Sequence, residues 1–335
     1  MVVAMRVVIA PDKFKGTATA AEIADGVAKA LRSQGHEAVT VPMADGGDGT
    51  LDALGGANRT TTVTGPNGEP VEAPWRLSKK LAIIEMALAS GLVLAGGPAE
   101  NDPLDATSRG TGELIETAVA RGAKRIIVGL GGSATTDGGL GALEAIGSPA
   151  RLRGIQIEIA TDVNTRFVDA ARVFGPQKGA TPAQVAFLES RLRGLAERYR
   201  DNYGVDVESV VGSGAAGGLG GGLVALGGTI IGGFDLIADE VGLFEQIEQA
   251  DVVVTGEGQL DAESFNGKVV GGVAEMAAEA GARLIVVAGA IDASGRDRPE
   301  TARATVVSLS ERFGHVEAMT DPSTCSAIAV TEALS

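Results

Sequence analysis

Glycine in this chain gathers in loops that follow strand-like runs. Four such loops mix glycine with charge: residues 11–16 (PDKFKG), 45–50 (DGGDGT), 131–139 (GGSATTDGG) and 256–261 (GEGQLD). Each comes directly after a short β-branched or small apolar stretch. Glycine supplies 49 of the 335 residues, about twice its usual share. Its placement at strand ends separates this chain from a flexible linker. In open α/β sheets, ligands bind beyond the carboxyl ends of the strands, which is where these four loops fall.

The segments between the loops read as alternating strand and helix. Residues 6–10 predict a buried strand, and Thr19-x-x-Glu22 predicts a capping box that opens a helix. Ile23, Val27, Ala30 and Leu31 follow at helical spacing, and Gly35 closes that helix. A second strand is expected over 37–42. Three short strands over 60–64, 70–77 and 81–86 read as a meander, with a turn at 66–68. Beyond it come a helix carrying Leu114, Ile115, Ala118 and Val119, and strands over 125–129 and 155–162. A charged helix over 184–203 follows. A strand–helix–strand unit over 251–255, 268–280 and 283–288 ends the reading. Alternation at both ends argues for an open parallel sheet, with the meander opening a second, inserted domain. The expected division is 1–60 plus 250–335 for the first domain and 61–249 for the insert.

Only 3% of the residues are aromatic while 44% are hydrophobic, so the cores must be built from Val, Ile, Leu and Ala. That composition suits helices on a parallel sheet. The formal charge of −15 argues against nucleic acid as a partner, because such binding needs a basic surface. An anionic ligand would need a local site made from a few cations or backbone N–H groups. The single cysteine, Cys325, excludes an intrachain disulfide and reads as a small core residue. Residues 209–234 carry no charge, but eleven of the 26 are glycine, which does not make a membrane span. Residues 1–10 are too short and too β-branched for a signal peptide. A soluble, cytoplasmic protein is expected, with no membrane partner.

Each loop has a chemical reading beside a plain one. Lys13 and Lys15, near the start of the first helix, make an anion site or two solvated lysines. Asp45 and Asp48 hold Mg²⁺ or form a tight turn. Gly131, Gly132 and Ser133 can cradle phosphate through N–H and hydroxyl groups, although no G-K-[ST] follows. Asp137 in the same loop suits a metal bridge or a substrate hydroxyl. Gly212-x-Gly214-x-x-Gly217 matches the dinucleotide fingerprint, with Asp235 at a suitable distance. The preceding segment is broken by Asp206, Glu208 and Ser209, so a nicotinamide-dependent oxidoreductase is the weaker reading. The two histidines, His36 and His315, suggest no triad, and His36 reads as an exposed residue past a helix end.

Taken in order, the loops resemble the type-1 glycerate kinase family. The resemblance is carried by APDKFKGT at 10–17, PMADGGDGT at 42–50, GTGELI at 110–115 and GLGGSATTDGG at 129–139. FGPQKGAT at 174–181 and DVVVTGEGQLDAES at 251–264 complete it, and GSGAAGGLG at 212–220 also fits the family without NAD. Between Ile146 and Phe174 the chain is shorter than the family pattern, with a milder shortening at 58–60.

The resemblance implies two α/β domains, a Rossmann-like open parallel sheet and an inserted second domain, with the active site in the cleft between them. It implies ATP and Mg²⁺, with D-glycerate as substrate and 2-phosphoglycerate as product, in a monomer or homodimer. Phosphorylation at the 3-hydroxyl and a non-catalytic binding protein stay open as alternatives. On this reading Asp45, Asp48, Lys13 and Lys15 are the catalytic residues. Gly131, Gly132, Ser133, Asp137, Gly214, Gly217, Gly218 and Lys178 bind substrate or phosphate. Asp162 and Glu257 are the candidate metal ligands.

Overall fold

The computed structural model describes residues 4–296 and 298–335; the first three residues of the 1–10 segment lie outside them. The chain opens with strands β1 (Arg6–Ile9) and β2 (Glu37–Thr40). It then lays down β3 (Arg59–Thr64), β4 (Pro70–Ser78), β5 (Leu81–Glu85), β6 (Arg125–Gly129), β7 (Gln156–Ala160) and β8 (Thr229–Ile231). It finishes with β9 (Val252–Leu260), β10 (Arg283–Ile291) and β11 (Thr305–Ser308). Two compact α/β units result: Met1–Asp45 with Phe234–Ser335, and Gly46–Gly233.

In the first unit the sheet order is β11-β10-β9-β1-β2, and every pairing is parallel. Val7, Val8 and Ile9 are fully buried, as a strand covered on both faces requires. The helix Ala20–Ser33 begins at the expected capping box. The Glu22 N–H donates to Thr19 Oγ1 at 3.2 Å, and the Thr19 N–H donates to Glu22 Oε2 at 2.8 Å. Its Ile23, Val27 and Leu31 stripe joins Val252, Val254, Ile285 and Cys325 in one core. His36 is buried rather than exposed: its Nδ1 accepts the Met5 N–H at 3.2 Å. The chain leaves the helix through Gly35 in the left-handed region and turns straight onto β2, which tucks the imidazole in.

In the second unit the order is β3-β4-β5-β6-β7-β8. The pairings β3–β4 and β4–β5 are antiparallel, as the meander predicts, and the remaining three are parallel. Trp75 on β4 is fully buried, and its Nε1–H donates to Thr61 Oγ1 at 2.9 Å, so its one polar atom is satisfied. A second cluster packs Phe167 edge-on against Tyr199, with ring centroids 5.9 Å apart, under the helix Pro182–Tyr203.

The unit boundaries fall at 45/46 and 233/234 rather than at 60/61 and 249/250. Packing explains both displacements. Gly46 lies so close to Ala160 that an added Cβ would stand 2.6 Å from its carbonyl oxygen. At the other end, Phe234 lies against Gly272 of the helix Val269–Ala280, which belongs to the first unit. The uncharged stretch 209–234 folds into short helical turns and β8. Among the described residues no helix is long and apolar enough to cross a membrane.

Candidate active site

The first cluster forms where β1 ends. Asp12 extends the ladder, its N–H donating to Gly256 O at 2.8 Å. Phe14 N–H then donates to Ala18 O at 2.9 Å, and Gly16 at φ +80° closes the turn. A tight loop is therefore fixed by its own backbone. It holds the Lys13 ammonium 3.4 Å from Asp12 Oδ1 and 3.5 Å from Asp45 Oδ1. Asp12 is 7% exposed. Burial pushes its carboxyl up to about 6, with Lys13 opposing and Asp45 adding to the rise. Lys15 is exposed on the same loop.

Glu257 stands on β9, which runs on through Gly256 and Gly258 as far as Leu260 instead of ending at Thr255. Those glycines allow backbone to meet backbone. A Cβ on Gly256 would stand 1.9 Å from Val287 O, and one on Gly258 would stand 3.1 Å from Lys15 N. Glu257 Oε1 is buried and has no hydrogen-bond partner among the described residues. Burial pushes the carboxyl up to about 7; the Ser264 side chain and Lys268 pull it down, while Asp12 and Asp261 add to the rise.

The second unit holds a separate cradle built from three loops. Gly131 meets Gly47 backbone to backbone, so closely that a Cβ would stand 2.4 Å from Gly47 Cα. Gly132, at φ +63°, leaves 2.7 Å between the same imagined atom and Asp48 Oδ1. Asp48 is exposed at the rim. Beneath it, Glu85 accepts the N–H groups of Gly49 and Leu51 at 3.2 and 3.1 Å and so fixes the turn into the helix Thr50–Ala53. Ser133 Oγ accepts the Thr135 N–H at 3.0 Å. Gly131, Gly132 and Ser133 thus form a shaped polar turn at the carboxyl end of β6.

The structure places five other expected ligand contacts deeper than the sequence reading does. Asp137 is 3% exposed and accepts four donors: the Ser108 N–H and hydroxyl at 2.9 and 2.8 Å, the Gly139 N–H at 3.0 Å and the Gly141 N–H at 3.2 Å. Both of its oxygens are occupied by these donors. Gly214, Gly217 and Gly218 are buried as well. A Cβ on Gly217 would stand 1.9 Å from Thr135 O, and Gly138 N–H donates to Gly217 O at 3.0 Å. The glycine character of Gly217 and Gly218 serves contact with the 131–139 loop, and that of Gly214 serves contact with the Arg166 carbonyl. No strand precedes Gly212, which removes the context a dinucleotide fingerprint needs. Lys178 is 3% exposed, with Nζ 2.6 Å from Thr135 O and 3.4 Å from Ser133 Oγ.

The model of the glycerate kinase family matches residues 7–150 and 147–332. The chain belongs to the glycerate kinase family. Glycerate 2-kinase of Escherichia coli strain K12 is 42% identical over 328 residues, covering 86% of each chain. Glycerate kinase of Bacillus subtilis strain 168 is 37% identical over 327 residues, covering 86% of this chain and 85% of the relative. A crystal structure from Salmonella typhimurium LT2, described as a glycerate kinase 2, superposes with a TM-score of 0.82 at 34% identity and covers 98% of both chains. The two matched segments overlap at residues 147–150.

In this glycerate kinase family enzyme, Asp12 is a buried acid beside Lys13 that the sequence reading does not single out. Its signal was present, since it precedes Lys13 in the same block at the end of β1. Among the described residues no group of three or more His, Cys, Asp or Glu is placed to hold a metal ion. Asp162 Oδ1 accepts the Gly233 N–H at 2.7 Å. Magnesium keeps several waters and takes one or two carboxylates beside phosphate oxygens. Asp12 and Glu257 fit that need, because Glu257 offers a buried oxygen without a donor.

Proposed function

We propose that this chain transfers the γ-phosphoryl group of ATP to the 2-hydroxyl of D-glycerate, releasing ADP and 2-phospho-D-glycerate. The observation that carries the phosphoryl-transfer chemistry is the Lys13 ammonium held between the carboxylates of Asp12 and Asp45. The choice of the 2-hydroxyl rests on similarity to the Escherichia coli glycerate 2-kinase.

Phosphoryl transfer asks a protein for positioning and charge neutralisation rather than covalent help. Lys13 meets the oxygens of the moving phosphoryl group, and the exposed Lys15 meets the substrate carboxylate. Gly131, Gly132 and Ser133 offer N–H and hydroxyl donors to phosphate. The C2 hydroxyl oxygen bonds to the γ-phosphorus, and the bond to the bridging oxygen breaks with its electron pair leaving on ADP. The hydroxyl proton passes to Asp48, which is exposed and has no ion-pair partner among the described residues; Asp45 holds Lys13. Magnesium, when bound, neutralises charge on the β- and γ-phosphate oxygens, and Asp12 with Glu257 would hold it.

A coupled assay tests the reading. Protein, ATP, Mg²⁺ and D-glycerate are followed through enolase to pyruvate, with and without phosphoglycerate mutase. Signal without mutase is expected. Signal only with mutase means attack through the 3-hydroxyl, and no signal in either arm removes glycerate as the substrate.

A further inference from the structure

Lys178 lies where a charge is hard to keep. Its side chain enters from the short turn Pro176–Lys178 and is wholly buried beneath the 131–139 loop. An ammonium taken out of water must recover its hydration through fixed partners. Here those partners belong to the loop. Nζ donates to the Thr135 carbonyl at 2.6 Å and to Ser133 Oγ at 3.4 Å.

The backbone of Lys178 is tied to the same turn. Asn101 Nδ2 donates to the Lys178 carbonyl at 2.9 Å and to the Ala134 carbonyl at 3.2 Å. Asn101 is itself 8% exposed. Two buried side chains, from two separate segments, therefore pin three consecutive loop residues, Ser133, Ala134 and Thr135. From the other side the loop is met by Ala216, whose carbonyl accepts from Thr135 Oγ1 at 3.4 Å while its φ of +52° lies in the left-handed region. A non-glycine residue held there costs energy that the surroundings must offset.

We infer that Lys178 is a positioning residue: its buried ammonium fixes the Ser133–Thr135 turn and so sets the donor geometry of the Gly131–Ser133 cradle, without touching the phosphate. The inference rests on the reading of that cradle as the phosphate site. It also explains why lysine stands at a place that an uncharged chain of similar length would fill. Met could pack there but would leave the Thr135 carbonyl and the Ser133 hydroxyl without their shared donor. Burial pushes the ammonium down to about 7, and the Asp137 carboxylate, held in the same loop, opposes that shift.

The test compares Lys178→Met and Lys178→Arg with the wild-type full-length chain, by amide hydrogen exchange without ligand and by steady-state kinetics. In Lys178→Met the amides of 131–136 should exchange at least tenfold faster, with β6 and the helix Arg109–Ala120 unchanged. The KM for ATP should rise at least tenfold while the KM for glycerate changes less than twofold. Lys178→Arg, which keeps a charged donor, should recover part of the loop protection and of the ATP KM. Unchanged loop exchange in Lys178→Met overturns the inference. So does faster exchange spread evenly over the whole Gly46–Gly233 unit, which is general destabilisation. If Lys178→Met does not fold, Lys178→Arg decides alone: wild-type loop exchange with wild-type KM values supports a charged donor, and a selective rise in glycerate KM overturns it. Should the wild type lack activity on glycerate while the loop still loosens in Lys178→Met, the tether stands and only the reaction assigned to the cradle falls.

Discussion

The Lys13 ammonium stands 3.5 Å from Asp45 Oδ1 and 3.4 Å from Asp12 Oδ1. One cation thus holds two carboxylates together at the end of β1. Replacing Lys13 with Met removes the positive charge and leaves the two acids facing each other. Turnover on ATP and glycerate should fall by about 10²–10³, the usual cost of losing one electrostatic contact to the reacting group. Steady-state kinetics of the variant, with circular dichroism to show that it is folded, checks this.

Glu257 gives a pH-dependent prediction. Its carboxyl is pushed up to about 7 from a usual 4.5, chiefly by burial. Between those values the folded chain holds a proton that the unfolded chain has released, so this group's contribution to stability falls as pH rises through that window. Glu257→Gln abolishes that loss. Relative to wild type, the variant should gain on the order of 1–3 kcal/mol between pH 4.5 and pH 8. Urea unfolding at both pH values, without added metal, measures it. A difference that does not change with pH would contradict the assignment.

Asp137 is expected to matter for stability first. Replacing it with Ala strands the Ser108 N–H and hydroxyl and the N–H groups of Gly139 and Gly141. At roughly 1–3 kcal/mol for an unsatisfied buried donor, and with partial relaxation, a loss of about 3–5 kcal/mol is expected. Denaturant midpoints and slopes give the number. A variant as stable as the wild type would mean that the carboxylate is not the hub of its loop.

Gly217→Ala separates packing from dinucleotide binding. Its φ is +65°, and an added Cβ would stand 1.9 Å from Thr135 O. The variant should unfold at least 2 °C earlier, since even a 1 kcal/mol loss moves the midpoint by about 2–4 °C in a unit the size of Gly46–Gly233. The wild type should show no change in NADH fluorescence. Quenching or enhancement at micromolar NADH would revive the oxidoreductase alternative.

The sequence made the frame legible where periodicity and punctuation agreed. The capping box at Thr19 and Glu22, the meander over β3 to β5 and the strand Arg125–Gly129 could all be read in advance. Three of the four glycine loops marked the carboxyl ends of strands for the same reason, while the fourth lies inside β9. Burial was less legible. A glycine that meets a ligand and one that meets a carbonyl look alike, so Gly217 read as a phosphate contact. Asp137 read as a ligand because its partners, Ser108, Gly139 and Gly141, come together only through the fold. Asp12 stands between Pro11 and a lysine in the sequence, and its burial at the end of β1 comes only with the fold. The strand β8 was hidden in an uncharged glycine run that has neither a two-residue nor a helical period.

The most direct test is the phosphorus spectrum of the product. D-glycerate is incubated with ATP, Mg²⁺ and the purified protein, and the new phosphomonoester is observed by proton-coupled ³¹P NMR. Attachment at the 2-oxygen places one proton on the carbon next to the ester, so the account predicts a doublet. A triplet, from the two protons at C3, would contradict the regiochemistry, and the absence of any new phosphomonoester would contradict the proposed reaction itself.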